Sequence, residues 1–190
     1  MYFKYFLSLL SLFLFSVNIY SAELKITKVI NINNKINVEF NNILKLKNFT
    51  LTNNNLTSPF YETNGNKYYF FYFLNRDLKN NIIKIANDKN SNIIDNKRNS
   101  VEYKINKCNI IKNPKTVLAF MSVIFNDAIE INCNVLNGKY GLWVAWPSIK
   151  EKDKWNKLFE IQDKKLKEDI ETELIKYYKR KKNDNKLKKE

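Results

Sequence analysis

Residues Val117 to Pro147 read VLAFMSVIFNDAIEINCNVLNGKYGLWVAWP and predict three consecutive antiparallel strands. The first part, Val117–Phe125, is almost continuously apolar, which is typical of a strand buried on both faces. The pair Asn126-Asp127 predicts a tight turn. The stretch from Ile129 to Val135 then alternates apolar and polar residues, so we expect it to have one buried face and one solvated face.

Two further strand signals complete a meander. Asn137-Gly138 predicts the second turn, and the strand Gly141–Trp146 is expected to end at Pro147, which cannot donate to a β-ladder. Upstream, Lys104–Ile111 predicts a strand that joins the meander through Asn113-Pro114. We therefore expect four antiparallel strands in chain order.

A helix is predicted after the sheet, with Asp163 as its N-cap. Its apolar residues recur at spacings of four, four and three, which places them in one stripe: Leu166, Ile170, Leu174 and Tyr177. Such a stripe needs a sheet face to cover. The predicted fold class is α+β, an antiparallel β-meander with a C-terminal helix.

Two segments, Val123–Ala128 and Val135–Ser148, in this order, resemble the SpoVG family (stage V sporulation protein G, septation regulator). That family runs through a Phe-Asp-Asp turn, a Gly-x-x-Gly-Leu-Phe-Ile-Ala-Met-Pro-Ser strand end and a basic loop to a C-terminal helix. The match covers residues 101–178. The resemblance implies a small non-enzymatic protein that associates through its sheet and binds DNA or RNA, as a regulator of septation, cell division and sporulation.

The loop after Pro-Ser departs from the family pattern. The position directly after Pro-Ser, basic in the family, is Ile149, and Asn156 replaces the arginine expected after the loop aromatic, Trp155. Glu151 and Asp153 interleave the lysines, and lysine makes no bidentate fork to phosphate or guanine. These departures favour an alternative, an exported envelope protein that uses the same fold as a structural or anionic-polymer-binding module.

Basic residues in the loop and in the C-terminal tail are the predicted contacts to nucleic acid or another polyanion. They are Lys150, Lys152, Lys154, Lys157, Lys179, Arg180, Lys181 and Lys182. For the tail, the alternative is a solvated, fraying terminus. The tryptophans Trp143, Trp146 and Trp155 have the chemistry to stack on bases, but we expect each of them in the core.

The N-terminal half carries similar landmarks in the same order, which predicts a degenerate tandem copy of the unit. Lys25–Val29 parallels Lys104–Cys108, and Phe40–Leu46 parallels Phe125–Ile131. Later landmarks correspond as well: Ser58-Pro59 with Trp146-Pro147, Lys67-Tyr68 with Lys154-Trp155, and Asn75, Leu78 and Ile82 with Asp163, Leu166 and Ile170. The first copy is expected to lack the Gly-Leu-Trp-Val-Ala strand. The alternative is chance self-similarity in a chain rich in Asn, Lys and Ile.

The predicted organisation has two units, residues 23–90 and 101–178, joined by a linker at 91–100 and followed by a basic tail at 179–190. If the two units pair with each other through their sheets, the chain supplies its own partner and is a monomer.

The first 22 residues predict a secretory signal peptide. Lys4 provides positive charge, Tyr5–Val17 is an apolar run that is short for a membrane span, and Ser21-Ala22 offers a cleavage point before Glu23. We therefore expect export to the periplasm or the extracellular space. The alternatives are an uncleaved anchor and a misassigned start site, which would leave the protein in the cytoplasm.

Composition excludes several classes of function. The 190-residue chain has a net charge of +14 and no histidine, which excludes His-dependent triads and His-ligated metals. Two cysteines alone cannot complete a tetrahedral zinc site. The acidic residues of the predicted helix are expected to pair with its lysines on the solvated side. We expect no enzyme activity, no cofactor and no small-molecule substrate, and a partner that is nucleic acid or an acidic envelope polymer.

The two cysteines test the strand order, because an exported protein is expected to oxidise any pair within reach. Turns at Pro114 and Asn126 would put Cys108 and Cys133 on the strands that flank Met121 of the central strand. Two strand spacings separate them by roughly 9–10 Å, which is beyond the limit of about 7 Å for a disulfide. Both thiols are therefore expected to be free.

Overall fold

The computed structural model describes residues 23–88 and 100–187. The predicted signal peptide lies outside the described residues, and so does the predicted linker apart from Ser100. The first half contains seven strands and a helix: β1 (Ile26–Ile32), β2 (Lys35–Phe40), β3 (Leu44–Thr52), β4 (Asn55–Thr57), β5 (Phe60–Thr63), β6 (Asn66–Tyr69), β7 (Phe71–Phe73) and α1 (Arg76–Asn87).

The second half has the same order of elements. Its strands and helix are β8 (Tyr103–Ile110), β9 (Val117–Phe125), β10 (Ile129–Gly138), β11 (Gly141–Ala145), β12 (Ser148–Glu151), β13 (Lys154–Lys157), β14 (Phe159–Ile161) and α2 (Lys164–Leu187). The chain is therefore α+β, with antiparallel sheets and a C-terminal helix, as predicted from the sequence.

The predicted meander is confirmed in the second half, where the strand order is β11-β10-β9-β8. The turn between β9 and β10 falls at Asn126 and Asp127, whose φ angles are 48° and 51°. Two left-handed residues in succession are what a tight hairpin turn needs, and Asn and Asp tolerate this conformation best after glycine.

The second turn lies two residues later than predicted. Asn137 and Gly138 remain in β10, and the chain turns at Lys139 and Tyr140. Gly141 closes the turn with a φ of 109°, which only glycine adopts readily. Gly138 has a packing role instead, because a Cβ atom there would lie 3.0 Å from the indole nitrogen of Trp143.

The C-terminal helix is capped as predicted. The Asp163 carboxylate accepts a hydrogen bond of 3.0 Å from the Leu166 N–H, and Ile170 and Leu174 are fully buried against the sheet. The helix continues to Leu187, so the predicted basic tail is helical over its described part and does not fray at residue 179. Lysine and arginine are good helix formers, which favours this extension.

The first half forms a smaller version of the same meander, in which β1, β2 and β3 pair in order. The expectation that it lacks a fourth strand is wrong, because β4 pairs with β3 as β11 pairs with β10. This counterpart is only three residues long. The predicted helix start is confirmed, since the Asn75 side chain accepts a hydrogen bond of 3.0 Å from the Leu78 N–H.

The two halves exchange a short strand. β7 of the first half pairs with β10 of the second, and β14 of the second half pairs with β3 of the first. The register sets Phe71 opposite Ile131 and Phe159 opposite Leu46, and all four side chains are buried. One hydrophobic core therefore runs through both halves.

The register of the cysteines agrees with the prediction. Cys108 and Cys133 both lie opposite Met121, one strand away on either side. Both are free and buried, and burial raises the pKa of the Cys133 thiol to about 12.

Within residues 23–88 and 100–187, neither helix is apolar enough over a sufficient length to cross a membrane.

Candidate functional site

The loop predicted to bind nucleic acid forms an exposed hairpin of β12 and β13. Lys150 lies opposite Trp155, and Lys157 lies two residues further along the same strand, so the three side chains share one face. Lys154 lies on the other face. Lys152 occupies the turn, with a left-handed φ of 55°. The alternation along β13 therefore divides the predicted basic loop between two faces.

A groove of about 920 Å³ lies between this hairpin and the first sheet. Trp155 and Lys157 line it from the hairpin, and Lys35 and Lys47 line it from β2 and β3. We call this the basic groove. Of the eight predicted site residues, Lys157 is the one that lines it, so the structure joins a predicted residue to two lysines of the other half.

Glu160 lines the basic groove, and three lysines lie near its carboxylate. The Lys47 ammonium donates a hydrogen bond to it, and Lys45 and Lys157 add positive charge nearby. The hydrogen bond from Lys47 outweighs the opposing effect of burial, so the pKa of Glu160 lies below its usual value. Lys45 also pairs with Glu39 at 2.8 Å. The charged residues that line the groove are three lysines (Lys35, Lys47 and Lys157) and two glutamates (Glu151 and Glu160), which leaves a net charge of one positive unit.

The three tryptophans differ in exposure, and the expectation of a core position is wrong for two of them. Trp155 is 68% exposed and Trp143 is 49% exposed. Trp146 packs on Phe159, with 5.1 Å between ring centroids, and its indole N–H donates a hydrogen bond of 2.7 Å to Glu171. Trp146 is therefore a packing residue, whereas Trp155 and Trp143 present open aromatic surface.

The predicted basic group of the tail, Lys179, Arg180, Lys181 and Lys182, lies on a separate surface. Arg180 lies 5.1 Å from the ring centroid of Tyr177. Burial raises the pKa of the Cys108 thiol, and the charge of Lys181 opposes this rise, which places Lys181 near β8. β8 lies at the edge of the sheet opposite β11, about 14 Å away across three strand spacings. The two predicted basic groups therefore do not form one continuous site.

The acidic residues of α2 pair with lysines one turn away, as predicted. The pairs are Lys164–Glu168 at 3.8 Å, Lys165–Asp169 at 2.9 Å and Lys167–Glu171 at 3.7 Å. Glu173 has a role that the sequence did not reveal, because it accepts a hydrogen bond of 2.8 Å from the Tyr103 hydroxyl. Burial and this hydrogen bond raise the pKa of Tyr103 to about 12. Glu171, which accepts a hydrogen bond from Trp146, and Glu173, which accepts one from Tyr103, therefore hold the helix on the sheet.

Sequence reasoning missed the lysines that the first sheet contributes to the basic groove. The signal was present in the alternation from Leu44 to Lys47, which places Lys45 and Lys47 together on the solvated face of β3. The alternation does not reveal what lies above that face. The hairpin comes close because β14, which follows it directly, pairs with β3.

Comparison of the chain with protein-family models, with curated proteins and with solved structures found no match in any of the three. The function proposed below therefore rests on the geometry of the basic groove. Across residues 23–88 and 100–187, no group of three or more His, Cys, Asp or Glu side chains is placed to hold a metal ion.

Proposed function

We propose that the protein is a non-enzymatic binding module that holds an anionic polymer in the basic groove, and that single-stranded nucleic acid is the polymer that fits best. The observation that carries this proposal is Trp155, 68% exposed beside Lys157 and facing Lys35 and Lys47 across the groove. Single strands are bound by aromatic side chains that stack on bases and by cations that track the phosphates. The resemblance to the SpoVG family supports the same function.

The carboxylates near the groove support binding rather than catalysis. Glu160 and Glu39 are engaged by lysines, and the lowered pKa of Glu160 keeps it charged near neutral pH. A general acid needs the opposite, a carboxyl whose pKa is raised toward the working pH. Glu151 accepts a hydrogen bond of 2.6 Å from Asn156 on the hairpin. Each of these three carboxylates therefore has a partner in the folded protein, which accounts for its position without a catalytic role.

A second candidate function is an exported protein that binds an acidic polymer of the cell envelope. The apolar segment Tyr5–Val17 favours export. The cations of the basic groove are lysines, which act as point charges and lack the bidentate fork that favours phosphate and guanine. Glu151 also lines the groove and reduces its net charge.

We also propose that residues 23–90 and 101–178 are degenerate tandem copies that pair within one chain, so that the protein is a monomer. Support comes from equivalent backbone hydrogen bonds whose partners differ by constant offsets of 88 or 85 residues. The Phe70 N–H donates to the Pro59 carbonyl (3.0 Å), and 88 residues later the Leu158 N–H donates to the Pro147 carbonyl (2.9 Å). Between the halves, the Lys47 N–H donates to the Leu158 carbonyl (2.8 Å). In the equivalent bond, the Asn132 N–H, 85 residues after Lys47, donates to the Phe70 carbonyl (3.0 Å).

The experiment measures the affinity of the full chain for fluorescent dT20 over a range of salt concentrations. The double variant Lys35→Gln and Lys157→Gln removes two groove cations, so we expect the slope of log K against log salt to flatten by about 1.4. The matched control, Lys112→Gln with Lys115→Gln, removes the same charge from the exposed loop between β8 and β9. We expect it to change the slope by less than half as much.

A third variant separates stacking from charge. Trp155→Ala is expected to weaken dT20 binding about tenfold, because each stacked base contributes roughly 1–3 kcal/mol. Binding of polygalacturonate with the same number of charges provides the comparison. If it equals dT20 in affinity and Trp155→Ala changes neither, the second candidate replaces the first. If the control double variant flattens the slope as much as the groove variant, the basic groove is not the site.

A further inference from the structure

The second sheet has a groove at the place that corresponds to the basic groove, and its chemistry is different. The hairpin of β5 and β6 lies beside the solvated face of the second sheet, since the Asn132 side chain donates a hydrogen bond of 2.8 Å to the Tyr69 carbonyl. A cleft of about 1490 Å³ runs along this face and around the edge of β11. We call the part between the hairpin and the sheet the aromatic groove.

Exposed aromatic rings line the aromatic groove from both sides. Tyr61 and Tyr68 stack on each other in the hairpin, with 5.1 Å between centroids and 14° between planes, and both remain nearly half exposed. From the sheet and its partner strand come Tyr72, Phe120 and Trp143, each 40–49% exposed. Large apolar rings that stay open to solvent are the feature that marks a binding surface.

The rings follow the direction of β10. Tyr72 lies opposite Glu130, Phe120 opposite Asn134 and Trp143 opposite Leu136. Because these β10 residues are spaced by even numbers, the three rings share one face of the sheet. Six residues at about 3.4 Å each give a platform roughly 20 Å long. An extended polymer fits this shape better than a compact molecule does.

Among the described residues, those that line the cleft from the hairpin and the sheet face include no charged side chain. The charged residues of the cleft lie on β13, β14 and α2, and they include Lys157 and Glu160 of the basic groove. The charged residues on this face of the sheet neutralise each other: Lys107 pairs with Glu130 at 2.9 Å, and Lys104 pairs with Asp127. The polar groups that line the groove are neutral and include the Asn134 amide. Neither an anionic nor a cationic ligand would find an unpaired charge on these two walls, so the surface favours an uncharged ligand.

We propose that the aromatic groove binds a neutral carbohydrate chain. Sugar rings present flat faces of C–H groups that carry partial positive charge, and the faces of aromatic rings are negative. Their hydroxyl groups exchange hydrogen bonds with amide side chains, which both donate and accept. A row of rings with neutral amides between them therefore matches successive sugars of an extended glycan. The cleft meets the basic groove at Trp155, Lys157 and Glu160, which line both, so the site is tested through Trp143 and Tyr68, which line the cleft and not the basic groove.

The experiment titrates the full chain with cellohexaose and with chitohexaose, followed by calorimetry and by tryptophan fluorescence. We expect at least one of them to bind with a Kd of about 1 mM or tighter. Salt acts only on charged contacts, so we expect the Kd to change less than about twofold between 50 and 500 mM NaCl. Trp143→Ala and, separately, Tyr68→Ala are each expected to weaken binding about tenfold.

Tyr140→Ala is the matched control, because this aromatic residue is 95% exposed in the turn beside β11 and does not line the cleft. We expect it to bind like the original protein. Thermal melts identify any variant that has lost its fold, and having two groove variants keeps the test open if one does. The proposal is overturned if neither oligosaccharide binds at 5 mM, or if dT12 binds and Trp143→Ala abolishes that binding.

Discussion

Phe71→Ala tests whether the exchanged strands make the two halves one folding unit. Phe71 is 1% exposed, lies opposite Ile131 of the second sheet, and packs on Phe49 of the first sheet with 5.4 Å between ring centroids. The side chain therefore contacts both halves of the core. Removing it creates a cavity where the sheets meet.

The expected cost is large compared with the stability of an ordinary domain. A buried Phe→Ala substitution lowers the free energy of unfolding by about 3–5 kcal/mol, out of a total of roughly 5–15 kcal/mol. For a chain of this size each kcal/mol corresponds to about 2–4 °C in Tm. The expected fall in Tm is therefore on the order of 10 °C.

The assay uses the position of the tryptophans. All three lie in the second half, at Trp143, Trp146 and Trp155, whereas the substitution is in the first half. We expect the fluorescence transition and the far-UV circular dichroism transition to shift together in urea. The control is Tyr72→Ala on the same strand, where a side chain that is 40% exposed should cost less than about 1.5 kcal/mol. An unshifted fluorescence transition would refute the coupling of the halves.

Three further predictions concern the thiols, the helix caps and alkaline pH. Cys108 and Cys133 are buried and free, so without reductant mass spectrometry should show slow alkylation of the folded protein and two labels after unfolding; fewer than two would contradict the strand order. Asn75→Ala and Asp163→Ala should each lower stability by about 1 kcal/mol, because each removes the acceptor of an N-cap hydrogen bond, and equal stability in urea would contradict the capping. Tyr103 has a folded pKa of about 12, above its usual value of 10.0, so its contribution is complete below pH 10 and is lost as the pH rises toward 12. Tyr103→Phe should therefore flatten the fall in Tm over that range, and an unchanged profile would contradict this role.

The strong hydrophobic periodicity of the second half allowed its strands to be predicted from the sequence. β9 has the bounds that the apolar run predicted, and β10 alternates between buried and half-buried residues from Ile131 to Leu136 as expected. Glu130, expected on the solvated face, is buried, and Lys107 pairs with it. The period carries information there because each strand is long and has neighbours on both sides. Turn and cap residues added the rest, since Asn126 and Asp163 have side chains whose local hydrogen bonding favours those positions.

The exchanged strands could not be predicted in the same way. Phe71–Phe73 and Phe159–Ile161 are three residues long, which is too short for an alternating pattern to appear. Their partners lie in the other half of the chain, so nothing local specifies the pairing. The basic groove depends on the pairing of β14 with β3, and the sequence therefore identified Lys157 but neither Lys35 nor Lys47.

The two grooves are built on similar strand pairings, apart from a register shift between Ile36 and Val38 in the first sheet and the shorter β4. We therefore expect their different chemistries to come from the side chains on the solvated faces. Position 35 of β2 corresponds to position 120 of β9, because Val38 faces Leu46 as Val123 faces Ile131. The basic groove has a lysine at that position and the aromatic groove has a phenylalanine.

The same contrast recurs at two further pairs, Lys47 with Asn132 and Lys157 with Tyr69. At all three positions a charged residue in one groove is neutral in the other. If the halves arose by duplication, substitutions at a few solvated positions would account for the two proposed binding chemistries. The buried apolar residues of both halves belong to one hydrophobic core.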